Sequence, residues 1–163
     1  MFGAVAIAAV SAYEVKALAD YGTFKSAAAP FRSAIAAAAS KYRVGKHLLA
    51  AIFWQESRFD PLAVGKLGEV GLGQFRPIAA LDVGISFDAI RSNVSVQIEA
   101  TAKLMRLNID RLKGDEFGAL RAYNAGIGNA KNSPTASLAY ALEVFNNAAI
   151  DFIATGVFGS TDA

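Results

Sequence analysis

The chain has 163 residues, 54% hydrophobic and 18% charged, with 16 Lys and Arg against 14 Asp and Glu for a net charge of +2. That length and apolar content suit one domain with a sizeable core and exclude a disordered tail, while so mild a positive balance gives no support to nucleic-acid binding. With no cysteine and a single histidine, His47, disulfides, thiolate nucleophiles and Cys- or His-rich metal sites are excluded.

The apolar stretch Met1 to Tyr13 is shorter than the roughly 20 residues that span a bilayer. No Lys or Arg precedes it, as a signal peptide would require. It reads as a buried or frayed first helix; the other reading is an export remnant with a weak membrane contact. Alanine is abundant and strand-like alternation is absent, so helix is the default throughout. A first helix is predicted over 11–24, ending near Gly22. Pro30 suits a helix start, and Phe31–Tyr42 follows. Arg43-Val44-Gly45 breaks the chain before a helix over Lys46–Ser57. Between Asp60 and Pro77, four glycines flanked by prolines predict an ordered irregular loop.

Helix is expected again from Ile78, with a pause at Gly84-Ile85-Ser86, and then from about Asn93 to Lys113. There Val94, Ile98, Ala102, Met105, Ile109 and Leu112 recur at helical spacing. Glu99 and Lys103 form an i, i+4 pair, which predicts a solvated face. A short helix is predicted over Asp115–Tyr123, a turn at Gly126, Gly128 and Asn129, and a last long helix capped by Ser133-Pro134 and ending near Ala149. The apolar stretch from Ala148 to Phe158, broken by Asp151 and Gly156, reads as core helix rather than anchor. The fold class is therefore all-α, in one domain.

Among the carboxylates Glu56 is unusual. It lies three, four and seven residues after Phe53, Ile52 and Leu49, on the face that carries core residues. Low dielectric favours its protonated form, and the negative end of the helix dipole acts in the same direction. A carboxyl kept partly protonated near neutral pH is what a general acid requires; the alternative is a glutamate turned to water at a helix end. His47 reads as a solvated or capping histidine. Trp54, two residues from Glu56, points elsewhere and reads as packing.

Glu56-Ser57 is followed by Phe59, Pro61 and Ala63, then by Gly68, Gly71-Leu72, Gln74 and Pro77. This block resembles the signature of the lytic transglycosylase catalytic domain, in the lysozyme-like clan with goose-type lysozyme. Ala122-Tyr123-Asn124-Ala125-Gly126 resembles the family's second motif. Residues 41–45 and 48–52 resemble its lead-in, and Gln97-Ile98-Glu99-Ala100 and Tyr140-Ala141 are fainter echoes; the likeness covers about residues 36–146. The sequence departs from the pattern at Gly65 (a common Ser), Glu69 (Ala), Gly73 (Met) and Phe75-Arg76 (Ile/Leu-Met).

The resemblance implies a lysozyme-like helical domain with an irregular Gly-rich active-site loop. It places the domain at residues 31–150, with 1–30 as an N-terminal extension and 151–163 as a tail of the same domain. It implies cleavage of the β-1,4 bond between N-acetylmuramic acid and N-acetylglucosamine in peptidoglycan, with Glu56 as acid and then base and a 1,6-anhydro product. Ser57 and Gln74 would hydrogen-bond the sugar or Glu56; Ser57 is otherwise a plain helix-end polar residue. Gly68, Gly71 and Gly73 would let the backbone approach the glycan. Tyr123, if not a core aromatic, would point its hydroxyl at Glu56. Asn124 would hold the turn or touch sugar, and Tyr140 would either pack in the core or line the cleft. Glu69 is a possible second carboxylate, with Asp60 behind it, should the enzyme be a goose-type muramidase that activates water. A decayed, peptidoglycan-binding protein is the non-enzymatic alternative. No metal or cofactor is implied. The expected partner is the peptidoglycan glycan strand, met by a monomer in the bacterial wall or periplasm, exported or virion-associated.

Overall fold

A computed structural model of the chain describes residues 20–153, and its regular elements there are all helical. Residues 20–28 form α1, which passes through a 3-10 turn, Ala29–Phe31, into α2 (Arg32–Tyr42). Then come α3 (Lys46–Ser57), α4 (Pro77–Val83), α5 (Phe87–Ser92) and α6 (Val94–Arg111). The last are α7 (Glu116–Ala125), α8 (Ile127–Asn132) and α9 (Leu138–Ile153). Local chemistry sets several boundaries. Asn93 accepts hydrogen bonds from the N–H groups of Ser95 and Val96 and starts α6, Asp115 does the same for Gly118 ahead of α7, and Pro77 opens α4.

The centre of the fold is α3. Leu49, Ala50, Ala51, Ile52 and Phe53 are all fully buried, the mark of a helix enclosed on every side. It packs between α2 and α9, while α6 lies against α2, α4, α5 and α7. The apolar stripe read from the sequence, with Ile98, Ala102, Met105 and Ile109, faces the main core. Ala100 and Leu104, on another side of α6, face a second cluster with Phe75, Ala80, Val83 and Ile90. Tyr123 touches both clusters.

The structure departs from the sequence expectations at several helix ends. The first helix does not stop near Gly22 but runs to residue 28. Phe24 is 4% exposed and packs edge-on to Trp54 and Phe59, and such burial outweighs the roughly 1 kcal/mol that a mid-helix glycine costs. The expectations for residues 1–19 and 154–163 lie outside the described residues. Glu99 keeps a partly solvated side chain, as expected, but it also pairs with exposed Lys41 and accepts a 2.9 Å bond from Tyr42, because α2 packs beside that face of α6. The expected turn at Gly128 and Asn129 is the short helix α8, held by a 2.8 Å bond from Asn129 Nδ2 to the Ala125 carbonyl. Ser133 ends α8 instead of capping the last helix. Arg121 gathers the carbonyls of Ala130, Ser133 and Ala136 and so fixes the connection. Helix α9 continues past Ala149, where fully buried Asp151 meets His47 Nδ1 at 2.7 Å and accepts from Tyr21. His47 is thus a packing partner of α9, neither solvated nor a cap.

The loop over residues 60–76 lacks a ladder; isolated bridges join Val64 to Val70 and Val70 to Phe75. Turn bonds within the loop pair further backbone groups, and buried Gln97 supplies partners for two that these leave open. Its Oε1 accepts from the Leu72 N–H at 2.9 Å and its Nε2 donates to the Pro61 carbonyl at 3.1 Å. A Cβ on Gly71 would lie 2.4 Å from Gln97 Cδ, and one on Gly73 would lie 2.3 Å from Thr101 Oγ1. These glycines therefore let the loop press onto α6, where the sequence reading had them admit a glycan. Gln97→Leu orphans both loop groups, and we expect a loss of about 2–4 kcal/mol of stability, measured by urea denaturation.

Candidate active site

Helix α3 ends abruptly. Arg58 and Phe59 both take the left-handed conformation, with φ of 56° and 64°. That turn buries Phe59 among Phe24, Phe31, Phe53 and Trp54. Arg58 stacks its guanidinium 4.5 Å from the centre of the Trp54 ring, so Trp54 packs as the sequence suggested. The reversal leaves Glu56, in the last turn, facing a cleft of about 620 Å³. The walls of this cleft come from the glycine-rich loop and from α4, α6, α7 and the start of α8.

Burial pushes the Glu56 carboxyl up to about 7 from an ordinary 4.5. A 2.7 Å hydrogen bond donated by Tyr140 to Glu56 Oε1 opposes this by stabilising the carboxylate, and the negative charge of Glu69 adds to the rise. Tyr140, on α9, is itself held well above its usual value by burial and by the Glu56 charge. The result is a carboxyl that stays largely protonated in slightly acidic conditions yet has a ready partner for its ionised form. That combination suits a group that must give up a proton and take one back.

Glu69 behaves oppositely. The backbone N–H groups of Glu69 itself and of Leu67 hold its carboxyl low, with Arg76 adding to the effect, and Oε2 accepts from Leu67 at 2.9 Å. A Cβ on Gly65 would fall 2.3 Å from Glu69 Oε2 and 2.7 Å from Gln74 Oε1. Two departures from the family pattern thus meet in space: the Glu69 carboxylate fills the room that a side chain at position 65 would occupy.

Of the residues singled out in the sequence, Glu56, Glu69, Gln74, Tyr123 and Asn124 all line this cleft. Their contacts differ from expectation. Tyr123 gives its hydroxyl to the Gly73 carbonyl at 2.7 Å, and it is Tyr140 that reaches Glu56. Ser57 donates to the Leu72 carbonyl at 3.0 Å, anchoring the loop to α3 without touching Glu56. Gln74 donates to the carbonyls of Gly71 at 2.9 Å and Ala63 at 3.3 Å. Asn124 accepts from Ser137 Oγ at 2.6 Å. Asp60 turns to the Leu62 N–H at 2.8 Å and is not part of the cleft wall. Sequence reasoning gave no weight to Gln97 and Thr101 as supports. Their signal was present: polar residues four apart on α6 with apolar neighbours on both sides. Among the described residues no group of acidic, histidine or cysteine side chains is placed to hold a metal ion.

Helices wrapped round one buried carboxyl, with an irregular glycine-rich loop closing the cleft, define a mainly α lysozyme-like domain. The chain belongs to the transglycosylase SLT domain family, whose model matches residues 33–144. Over 99 residues it is 36% identical to the peptidoglycan transglycosylase gp16 of Escherichia phage T7, covering 58% of this chain and 8% of that protein. Over 108 residues it is 32% identical to the membrane-bound lytic murein transglycosylase F of Desulfosudis oleivorans, covering 63% and 23%. Over 98 residues it is 33% identical to the transglycosylase of Enterobacteria phage PRD1, covering 59% and 35%. The chain thus spans about a third or less of the length of these relatives. Its fold is shared with an inactive mutant of the lytic transglycosylase Slt from Pseudomonas aeruginosa, at a TM-score of 0.55 and 20% identity over 74% of this chain and 22% of that one.

A carboxyl raised by burial destabilises the fold once it must ionise. The penalty is absent below the unfolded value near 4.5 and grows to its full size above about 7. Glu56→Gln removes it. The variant is expected to match the parent in melting temperature at pH 4 and to exceed it at pH 8, by an amount corresponding to at most about 3 kcal/mol. Thermal denaturation across that range measures the difference.

Proposed function

We propose that this chain cleaves peptidoglycan glycan strands as a lytic transglycosylase, at the β-1,4 bond between N-acetylmuramic acid and N-acetylglucosamine. The observation that carries the proposal is Glu56: a carboxyl raised to about 7, in a cleft, bonded by one tyrosine hydroxyl. Family membership and the names of the relatives support the substrate.

The protonated Glu56 gives its proton to the glycosidic oxygen as the bond from that oxygen to the muramyl anomeric carbon breaks. The N-acetylglucosamine side leaves with a free hydroxyl. The electron-poor anomeric carbon is then closed on by the C6 hydroxyl of the same sugar. Glu56, now a carboxylate held by Tyr140, takes the proton of that hydroxyl, and the 1,6-anhydro ring forms. Every proton is returned and no water is consumed. The nucleophile is the sugar's own oxygen, so one carboxyl acts in both steps and the usual second carboxylate is not needed. Glu69, ionised and in the same cleft, supplies negative potential that favours the developing positive charge on the sugar.

The unit that acts is read as a monomer. Its place of work is the bacterial wall or periplasm, reached by export or within a virion, a reading that the two phage relatives support. Among the described residues no helix is long and apolar enough to cross a membrane. Residues 31–150 are read as the catalytic domain. The extension 1–30 contributes Phe24 and Ala28 to its core, and the tail 151–163 contributes Asp151.

Glu56→Gln should lower the rate of clearing purified cell walls by at least about 10²–10⁴-fold, the usual size of a lost general acid, while its circular dichroism stays native. Mass spectrometry of the released fragments should show 1,6-anhydromuramyl ends. Reducing muramyl ends would instead mean hydrolysis, and near-native clearing by the variant would remove Glu56 from the mechanism.

A further inference from the structure

Asn108 lies on α6, seven residues beyond Thr101 and so roughly 10 Å further along the helix axis. It is 3% exposed, and its Nδ2 has no hydrogen-bond partner. Among the described residues two other buried side-chain atoms share that state, Gln55 Oε1 and Arg106 Nε, but neither residue lines the cleft; Asn108 does. A buried amide donor left open is uncommon in a native fold. At the wall of a binding cleft it points to a ligand that supplies the missing acceptor.

The surroundings restrict what that acceptor is. Leu104, Ala79, Ala122 and Ile127 line the same cleft and offer apolar surface. Asp82 lines it too, paired with Arg111 Nη1 at 3.5 Å, and Arg76 lines the same cleft, so the charges of the wall are offset and call for no charged ligand at this end. A small neutral group with one carbonyl oxygen and one methyl meets both conditions. The terminal torsion of an asparagine turns in a broad well, so the donor can swing to meet an oxygen placed in the cleft.

We infer that Asn108 reads the N-acetyl group of an amino sugar bound along the cleft, donating Nδ2–H to the acetamido oxygen while the methyl rests on Leu104, Ala79 and Ile127. Asn108 is a specificity-determining residue remote from the bond that breaks. The inference rests on the glycan-cleaving reading above and adds what the cleft selects.

The test uses the Glu56→Gln protein, so that bound sugar is not consumed, with and without Asn108→Leu. Affinities for chitotetraose and cellotetraose are measured by titration calorimetry; the second sugar is neutral and carries a hydroxyl in place of each acetamido group. We expect Asn108→Leu to reduce the preference for chitotetraose about tenfold, the worth of one hydrogen bond. Its melting temperature should be unchanged or higher, since an open donor is replaced by an apolar side chain of similar size. An unchanged preference overturns the inference and leaves the catalytic proposal intact. So does equal weakening towards both sugars with a fall in melting temperature, which would make Asn108 a structural residue. Failure of the Asn108-bearing protein to bind chitotetraose overturns this inference and the glycan reading together. Loss of the catalytic proposal alone would show in the wall-clearing assay with binding preserved.

Discussion

The withdrawal of the Glu56 carboxyl from water governs the rest of this molecule. An exposed glutamate would be ionised at neutral pH and would have no proton to give. Burial reverses this, and burial here is a property of the whole fold. Helix α3 is enclosed by its neighbours almost to its last turn, and the chain reverses at Arg58 and Phe59 so that the loop folds back beside the carboxyl. Tyr140 restrains the effect. Its hydrogen bond favours the carboxylate and keeps the carboxyl near neutrality, where donating and recovering a proton are comparably easy.

The loop beside Glu56 is held by turn and bridge bonds of its own backbone and lacks a regular ladder. Side chains from the helices replace the missing ladder. Gln97 bonds Pro61 and Leu72, Ser57 bonds Leu72 as well, and Tyr123 bonds Gly73. These four bonds come from three helices, α6, α3 and α7, so the loop is located by the bundle as a unit. The small residues follow from this. Gly71 and Gly73 sit where a Cβ would strike α6, and Gly65 sits where one would strike Glu69. The Gly65 and Glu69 departures meet in space, since the Glu69 carboxylate occupies the room that a side chain at position 65 would need.

Much of the fold is legible in the letters. The bounds of α3, the stripe along α6 and the irregular loop follow from periodicity and glycine content, because tertiary contacts there reinforce local preference. Helix ends are less legible wherever a distant partner decides them. Helix α1 runs past Gly22 because Phe24 has an aromatic pocket waiting, and α9 runs past Ala149 because Asp151 has His47 and Tyr21 to meet. The site divides in the same way. Glu56 is visible as a carboxylate on an apolar face. Which tyrosine reaches it is not, since Tyr123 and Tyr140 both end near the cleft and only the packing of α7 and α9 assigns their hydroxyls. Asn108 is invisible in sequence, as an open donor becomes apparent only when its surroundings are known.

The proton affinity of the Glu56 side chain can be measured directly. Carbon-13 NMR of the glutamate side-chain carboxyls, with the Glu56 resonance assigned by comparison with Glu56→Gln, follows its titration in the folded protein. A midpoint near 7 is expected. A midpoint in the ordinary range near 4.5 would contradict it, because Glu56 would then hold no proton to donate at neutral pH.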